Sequence, residues 1–581
     1  MKKDHGTSQK TYSTQSRSGK SNTGGKQRNR KPKPRVEEQV EAQTNDPQWY
    51  FADPVLSALA GDLNWTYPAG RPVPIYVRKD AAFVRWPQKQ NGQYVQNADW
   101  SYKKIPSILS VRVYPSVGNS IDPSSPINTA AKGIRAYQRS TSTGSTNYDS
   151  PDLMMYIAAN ADVYSYIVWL QRIAAIVPMS NQLNYSYPEL MLQANYVDPV
   201  DVTTNIRHLW SGIESLIVKA ARLVVPSEKV LPIFARRAFM FSSVYTEGSS
   251  TKDQLYMYTP AAFYKFGIDD RGQGQLVLAG EDMFKPGVYN TVDQLIAFGN
   301  QLINAIYSDD THATMSGDLM KAYAGNIVKL APLNVDAVIA PTFDITVLEQ
   351  IKNAIAVGKL IGGSVNQVNT VGDQPYITSV YYGAEGIGLG NDTPNYFQVN
   401  AQTTLGSSLM VTTSTVDVST ALAVENTRLV VGLDFAQYEQ PGHGSNTGDT
   451  AAWAIVSGSE ICEAFYTWTS NGLGDTPQWD RHIYAHVSHA NSSLDETITL
   501  WRQTQDIASF KFHPRVAEFV EAPKVPGTVK QEESLVIYVG DTFDYDNFAI
   551  LNLDVMREMH ESCLLSLFGV SASAVAFSRQ G

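Results

Sequence analysis

The sequence predicts an α+β protein with a helix-rich body, a β-rich portion behind it and a disordered basic N-terminal arm. Three observations carry that prediction. Residues 1–35 hold eleven Lys or Arg (Lys2, Lys3, Lys10, Arg17, Lys20, Lys26, Arg28, Arg30, Lys31, Lys33 and Arg35) against the single acid Asp4. Met1 and Tyr12 are the only large apolar side chains there, so the stretch has too little to bury to fold alone. From about residue 128 to 361 the apolar residues recur at helical spacing. After Gly363 the texture turns to Thr, Ser, Val, Gly and Tyr, with strand-like runs between Gly and Asn turns.

Along the chain, residues 1–44 form the arm, stiffened at Lys31–Pro34 and followed by Glu37, Glu38 and Glu41. The folded part is expected to begin at Trp49, Tyr50 and Phe51, with Asp53 and Pro54 starting a short helix that ends at Gly61. Ser150 and Pro151 open a long helix running towards Val177. Its wide apolar face (Leu153, Tyr156, Ile157, Tyr164, Ile167, Trp169, Leu170) predicts burial between neighbours. Ser150 is the expected accepting cap, and Asp152 complements the helix dipole. Leu209, Ile213, Leu216, Ile217, Ala220 and Val224 mark a second helix closed by Pro226. Further helices are expected at 292–307, 318–329 and 344–360, the last capped by Asp344 and stopped by Gly362 and Gly363. Strand runs at 376–382, 397–404, 409–418 and 428–435 place a β-rich domain at 365–500. A helix at 553–568, stopped by Gly569, brings 501–581 back to the helical part, 45–364.

The whole chain has a net charge of −10 and the arm carries +10, which leaves −20 on residues 36–581. Such a body repels phosphate while the arm attracts it; taken alone, the tail reads equally as a charged solubilising tail or a localisation signal. Charged residues are only 18% and Tyr is counted 31 times, which points to a neutral, aromatic surface suited to protein contact or, equally compatible with the composition, to a big domain with a large core and neutral loops. Cys462 and Cys563 are too few for a disulfide framework, and without a secretory signal they point to a reducing compartment. The most apolar stretch, Tyr164 to Val177, is broken by Gln171 and Arg172 and falls short of the roughly 20 residues of a membrane span. A soluble chain without membrane insertion is expected.

No motif assembles an active site. His482, His486 and His489 read as well on a strand as on a helix, with no Cys or carboxylate at ligand spacing. Ser308-Asp309-Asp310 resembles a magnesium-holding pair in composition, but an amphipathic helix leads into it, which favours a cap or surface turn. Asp541, Asp544 and Asp546 lack the Gly and closing Glu of a calcium hand. Gly386, Gly388 and Gly390 open no helix, so they cradle no phosphate. Nucleophile elbow, zinc-protease and Walker motifs are absent. No catalytic residue, metal or cofactor is expected, which moves the reading towards a structural or binding role.

Several segments carry a family likeness: Asn45-Asp46-Pro47 through Trp49-Tyr50 to Asp53-Pro54; Ser125-Pro126-Ile127-Asn128 with Ala130; and Ser145 to Asn147 followed by Tyr148, Asp149, Pro151, Asp152, Leu153 and Met154. Tyr164-Ser165-Tyr166 with Trp169, and Asp309-Asp310 leading to Ser316-Gly317-Asp318 and Lys321-Ala322-Tyr323, continue it. In this order, over roughly residues 45–330, the chain resembles the capsid proteins of picobirnaviruses. The resemblance implies a coat subunit that forms symmetric dimers and closes into an icosahedral shell around double-stranded RNA. It implies a helical shell domain, a β-rich projecting domain and an arm that faces the interior and contacts RNA through its eleven basic residues. Expected partners are further copies of the chain, genomic double-stranded RNA and, as a candidate, the viral RNA polymerase. The expected place is the virion, assembled in the host cytoplasm. Some relatives trim the arm by self-cleavage; no cleavage residue is located in this sequence. The alternatives from other classes are a nucleic-acid-binding scaffold that assembles no shell and an enzyme, such as a polymerase-associated factor or a self-processing protease, for which the sequence supplies no candidate set of residues.

Overall fold

The computed structural model describes residues 106–383 with breaks at 121, 142–146, 180–186, 357–359 and 370–374. It also describes 408–413, 419–430, 433–438, most of 451–487, parts of 507–520, 535–539, 548–570 and four short strands between 72 and 104. The arm, the expected helix from Asp53 to Gly61, the run at 397–404, His489, the Asp541–Asp546 loop and the Gly386–Gly390 segment lie outside the described residues.

The fold is α+β, and one helix organises it. Ser150–Ile176 is 27 residues long and buries 22 of them. An apolar surface on all sides has to be surrounded. It is packed by the helices Pro126–Thr141, Ile206–Ala220, Ile233–Ser242 and Val292–Tyr307 and by the strand Phe263–Ile268. The cap lies one residue earlier than expected. Asp149 is the N-cap, and its N–H donates to the Asp152 carboxylate at 3.0 Å, while Ser150 is already helical. The apolar run is also longer than the sequence suggests: Ser150–Met179 has the length and apolarity of a membrane span, yet 94% of its most apolar window is buried inside the protein. Arg172 interrupts the run without exposing it, because its guanidinium donates to Asn195 Oδ1 (2.5 Å) and to the Tyr258 carbonyl (2.8 Å).

Two sheets flank this core. One is antiparallel and six-stranded, in the order Leu433–Tyr438, Ala451–Val456, Tyr376–Gly383, Leu360–Val368, Gly274–Ala279, Phe263–Ile268. The other is mixed and five-stranded: Pro477–His482, Glu460–Ser470, Ile108–Pro115, Leu255–Pro260, Tyr245–Thr246. Its centre pairs Val111 with Tyr258 in parallel and with Phe465 in antiparallel register. The expected border at 364/365 falls inside the strand Leu360–Val368, which pairs on one side with Gly274–Ala279 and on the other with Tyr376–Gly383. Strands therefore run through the stretch expected to be helical. Their residues, Leu255 to Pro260 above all, are buried in succession, so no alternation betrays them.

Other boundaries move for local reasons. The helix expected at 318–329 is Asp310–Ala322, because Asp309 accepts from the Thr311 N–H at 2.8 Å and starts it earlier. Asp309-Asp310 is thus a cap, as read. The helix expected at 344–360 is capped by Asp344 but spans only Ile345–Lys352. Asn353 ends it by donating to the Glu349 and Thr412 carbonyls and accepting from the Thr412 N–H. Gly363 sits in a strand instead of stopping a helix, where a Cβ would come within 2.8 Å of Leu278. Within 428–435, residues 427–429 form a turn after the helix Thr420–Asn426, and the strand begins at Leu433. The helix Leu553–Leu567 and its stop, Gly569 at φ +73°, stand as expected.

Among the described residues the tyrosines favour the large core over an aromatic surface. Tyr114, Tyr156, Tyr166, Tyr196, Tyr245, Tyr256, Tyr258, Tyr264 and Tyr381 are among the largest fully buried side chains. Most have a partner for the hydroxyl: Tyr166 donates to the Leu295 carbonyl (2.6 Å), Tyr156 to that of Val224 (3.0 Å), and Tyr264 and Tyr381 share a bond (2.8 Å). Tyr here fills a core that is polar at its tips.

Candidate assembly surface and nucleic-acid arm

Every residue expected to bind RNA, from Lys2 to Arg35, lies outside the described residues. His482 and His486 fall on the strands Pro477–His482 and Tyr484–Val487. Among the described residues no group of three His, Cys, Asp or Glu is placed to hold a metal.

Arginine–carboxylate ties hold remote segments of the body together. Arg112 meets Glu463 at 2.6 Å, both buried. The pairing between Ile108–Pro115 and Glu460–Ser470 shifts between Cys462 and Ala464, so Glu463 is the extra residue of a bulge, a device that re-aims a side chain. Burial alone would lower the Arg112 pKa, but Glu463 together with the nearby Tyr196, Tyr114 and Tyr466 outweighs it and the guanidinium stays charged. Arg237 meets Asp162 of the central helix at 2.7 Å and donates to the Ser116 carbonyl at 2.6 Å. Asp162 also accepts from the Tyr264 N–H (2.5 Å), and burial pushes its carboxyl up against the pull of Arg237. Arg428 grips Glu460 through two bonds, at 2.9 and 3.2 Å, and Arg236 approaches the same carboxylate at 3.4 Å. Burial opposes its ionisation, yet the two guanidiniums hold Glu460 well below the usual carboxylate range.

These ties also bear on the outer surface. Among the described residues the buried charged side chains are five Arg (112, 135, 172, 237, 428) and four carboxylates (Asp162, Glu349, Glu460, Glu463). Among the described residues, burial therefore hides no net negative charge.

The described body is otherwise unusual at one place. Between the helices Asp310–Ala322 and Ile345–Lys352 the chain runs with only two isolated bridges, Pro226 to Ile327 and Tyr245 to Thr342. Val335, Val338 and Phe343 on this run are 45%, 56% and 40% exposed. Sequence reasoning passed over it because it has no period. The available signal was a stretch from Leu330 to Phe343 with one charge, Asp336, and two prolines.

Comparison with known proteins agrees with this architecture. The chain is 29% identical over 350 residues to the capsid protein precursor of human picobirnavirus (strain Human/Thailand/Hy005102/-). That match covers 59% of this chain and 61% of the relative's length. A crystal structure of the picobirnavirus capsid superposes with a TM-score of 0.69 at 17% identity, over 92% of this chain and 99% of that one, a likeness of fold. The sequence profile of the family described as "Picobirnavirus, Capsid protein" matches residues 49–431, beyond the 45–330 over which the resemblance is visible by eye. With well over half of its length matched, the chain belongs to the picobirnavirus capsid protein family.

Proposed function

We propose that the chain is a structural coat subunit that dimerises and assembles into an icosahedral shell around double-stranded RNA. The observation that carries this reading is the family match across residues 49–431. The body's construction supports it: segments as distant as 108–115 and 460–470 share a sheet, and buried ion pairs tie others, giving a stiff building block. Stiff subunits close shells with individually modest contacts, because symmetry multiplies them.

The arm supplies the nucleic-acid contact in this reading. Eleven cations on a polar tail bind duplex RNA through phosphates without reading sequence, and each phosphate contact costs about one counterion in salt dependence. The acidic body confines attachment to the arm. The shell domain comprises 45–364 with the returning 501–581, and the projecting portion lies within 365–500, less the strands that belong to the body's sheets. Assembly takes place in the host cytoplasm, with the viral RNA polymerase as a further partner. The role is architectural, not enzymatic.

The test is negative-stain microscopy of the full-length protein expressed alone. Uniform closed particles are expected. Dispersed monomers or dimers at every salt concentration would reject the coat reading in favour of a non-assembling scaffold.

A further inference from the structure

We propose that the strap formed by residues 330–343 is a contact between two copies of this chain. The proposal rests on the coat-subunit reading and names one surface that assembly uses.

The strap has two faces. Leu330, Leu333 and Ile339 turn inward and pack on the core, while Val335, Val338 and Phe343 stand exposed. The backbone is held along its length: Val328 N–H donates to the Val225 carbonyl (3.1 Å), Leu333 to the Glu214 carboxylate (2.5 Å), Ile339 to the Ala175 carbonyl (2.9 Å) and Thr342 to that of Val244 (3.0 Å). Thr246 then donates back to Thr342 (3.1 Å). At the tip, Asn334 accepts from the Asp336 N–H through its side chain and from Ala337 through its carbonyl, a turn that presents Val335. Val218 is 55% exposed and stands one helical turn beyond Glu214, the residue that holds Leu333.

Loops of this length without regular structure are uncommon in compact domains and are usually functional. A loop exposing three apolar side chains would ordinarily collapse or move, but the backbone bonds and inward side chains already fix this one. Binding therefore pays little ordering entropy. A stable interface takes about 800 Å² per partner, so the strap is one patch of a larger contact. A nearly uncharged strip suits a second copy of the same chain better than RNA, which needs cations. Within 330–343 there is no Lys or Arg.

The test uses full-length protein with Val335→Asp and Val338→Asp combined. Both positions are exposed, so the circular dichroism and the thermal midpoint should match the unsubstituted protein. The fraction of protein in particles should fall at least about tenfold, because assembly would bury two unpaired carboxylates. Independently, a photo-cross-linking residue at position 338 should join two chains in assembled particles, seen as a doubled mass under denaturing conditions. Unimpaired assembly of the folded double variant, or cross-links confined within one chain, would overturn the proposal. If the unsubstituted protein itself forms no particles, the coat-subunit reading has failed, and the strap contact falls with it.

Discussion

The central helix and the strap are both apolar, and both are held by hydrogen bonds to distant parts of the chain, yet they answer to different partners. In Ser150–Ile176 every side of the helix meets the protein's own atoms. In the strap the backbone is fastened but the outer side chains Val335, Val338 and Phe343 stay about half open to solvent. Apolar surface buried within one chain stabilises the fold, whereas apolar surface held rigid and open is available to another molecule. The contrast predicts that charge introduced or unmasked in the first region acts on folding, and charge introduced in the second acts on assembly.

The largest effects belong to the helix. Trp169 is fully buried and donates to Asn195 Oδ1 at 3.1 Å, and Trp169→Ala should cost about 3–5 kcal/mol. Asp162→Ala leaves Arg237 buried without its carboxylate, and a loss of about 3–5 kcal/mol is expected. Denaturant unfolding of each variant beside the unsubstituted protein measures both. Losses below about 1 kcal/mol would mean that the helix is less central than its burial implies. The strap variant is the counterpart: Val335→Asp with Val338→Asp should change stability by no more than about 0.5 kcal/mol per site, with the effect appearing in particle yield.

An intermediate effect comes from acid. His560 is buried on the C-terminal helix and bonds Thr427 at 2.9 Å. Burial, with Arg236 adding to it, lowers its pKa to about 4, and burial moves His312 in the same direction. In the unfolded chain both titrate near about 6.5. Between roughly pH 4 and 6.5 the unfolded chain therefore holds more protons, so stability falls as pH drops through this window, by on the order of 3 kcal/mol for His560. Asp162 opposes the trend, since a raised carboxyl pKa favours the folded state as pH falls. Unfolding curves at several pH values should show His560→Gln with a shallower slope than the unsubstituted protein; an unchanged slope would remove His560 from the account.

Elements whose signal is local were legible from the sequence. Val292–Tyr307 was readable to the residue, with Thr291 and Gln294 forming a reciprocal cap, and Asp344 announces its helix by the same chemistry. The strand Ile108–Pro115 was not legible, because its partner lies some 350 residues away at Glu460–Ser470 and both faces of the strand are buried. The abundance of Tyr was visible, but composition does not say whether a phenol faces a carbonyl inside or a neighbour outside. Glu463 reaches Arg112 only because of a bulge that no local pattern encodes. Of the candidate sites, the arm was legible through charge, whereas the strap is defined by what it fails to bury, which only the fold reveals.

The same comparison extends to the arm, whose charge is opposite to that of the body. The measurement that tests this division of labour most directly is nuclease-protected RNA per particle, with and without residues 1–44, at several salt concentrations. Under the proposal that body contacts build the shell and arm cations hold the genome, the truncated chain should still form particles but lose most of its RNA, with the remainder no longer strongly salt-dependent. Truncated particles that carry as much RNA as full-length ones would contradict the account.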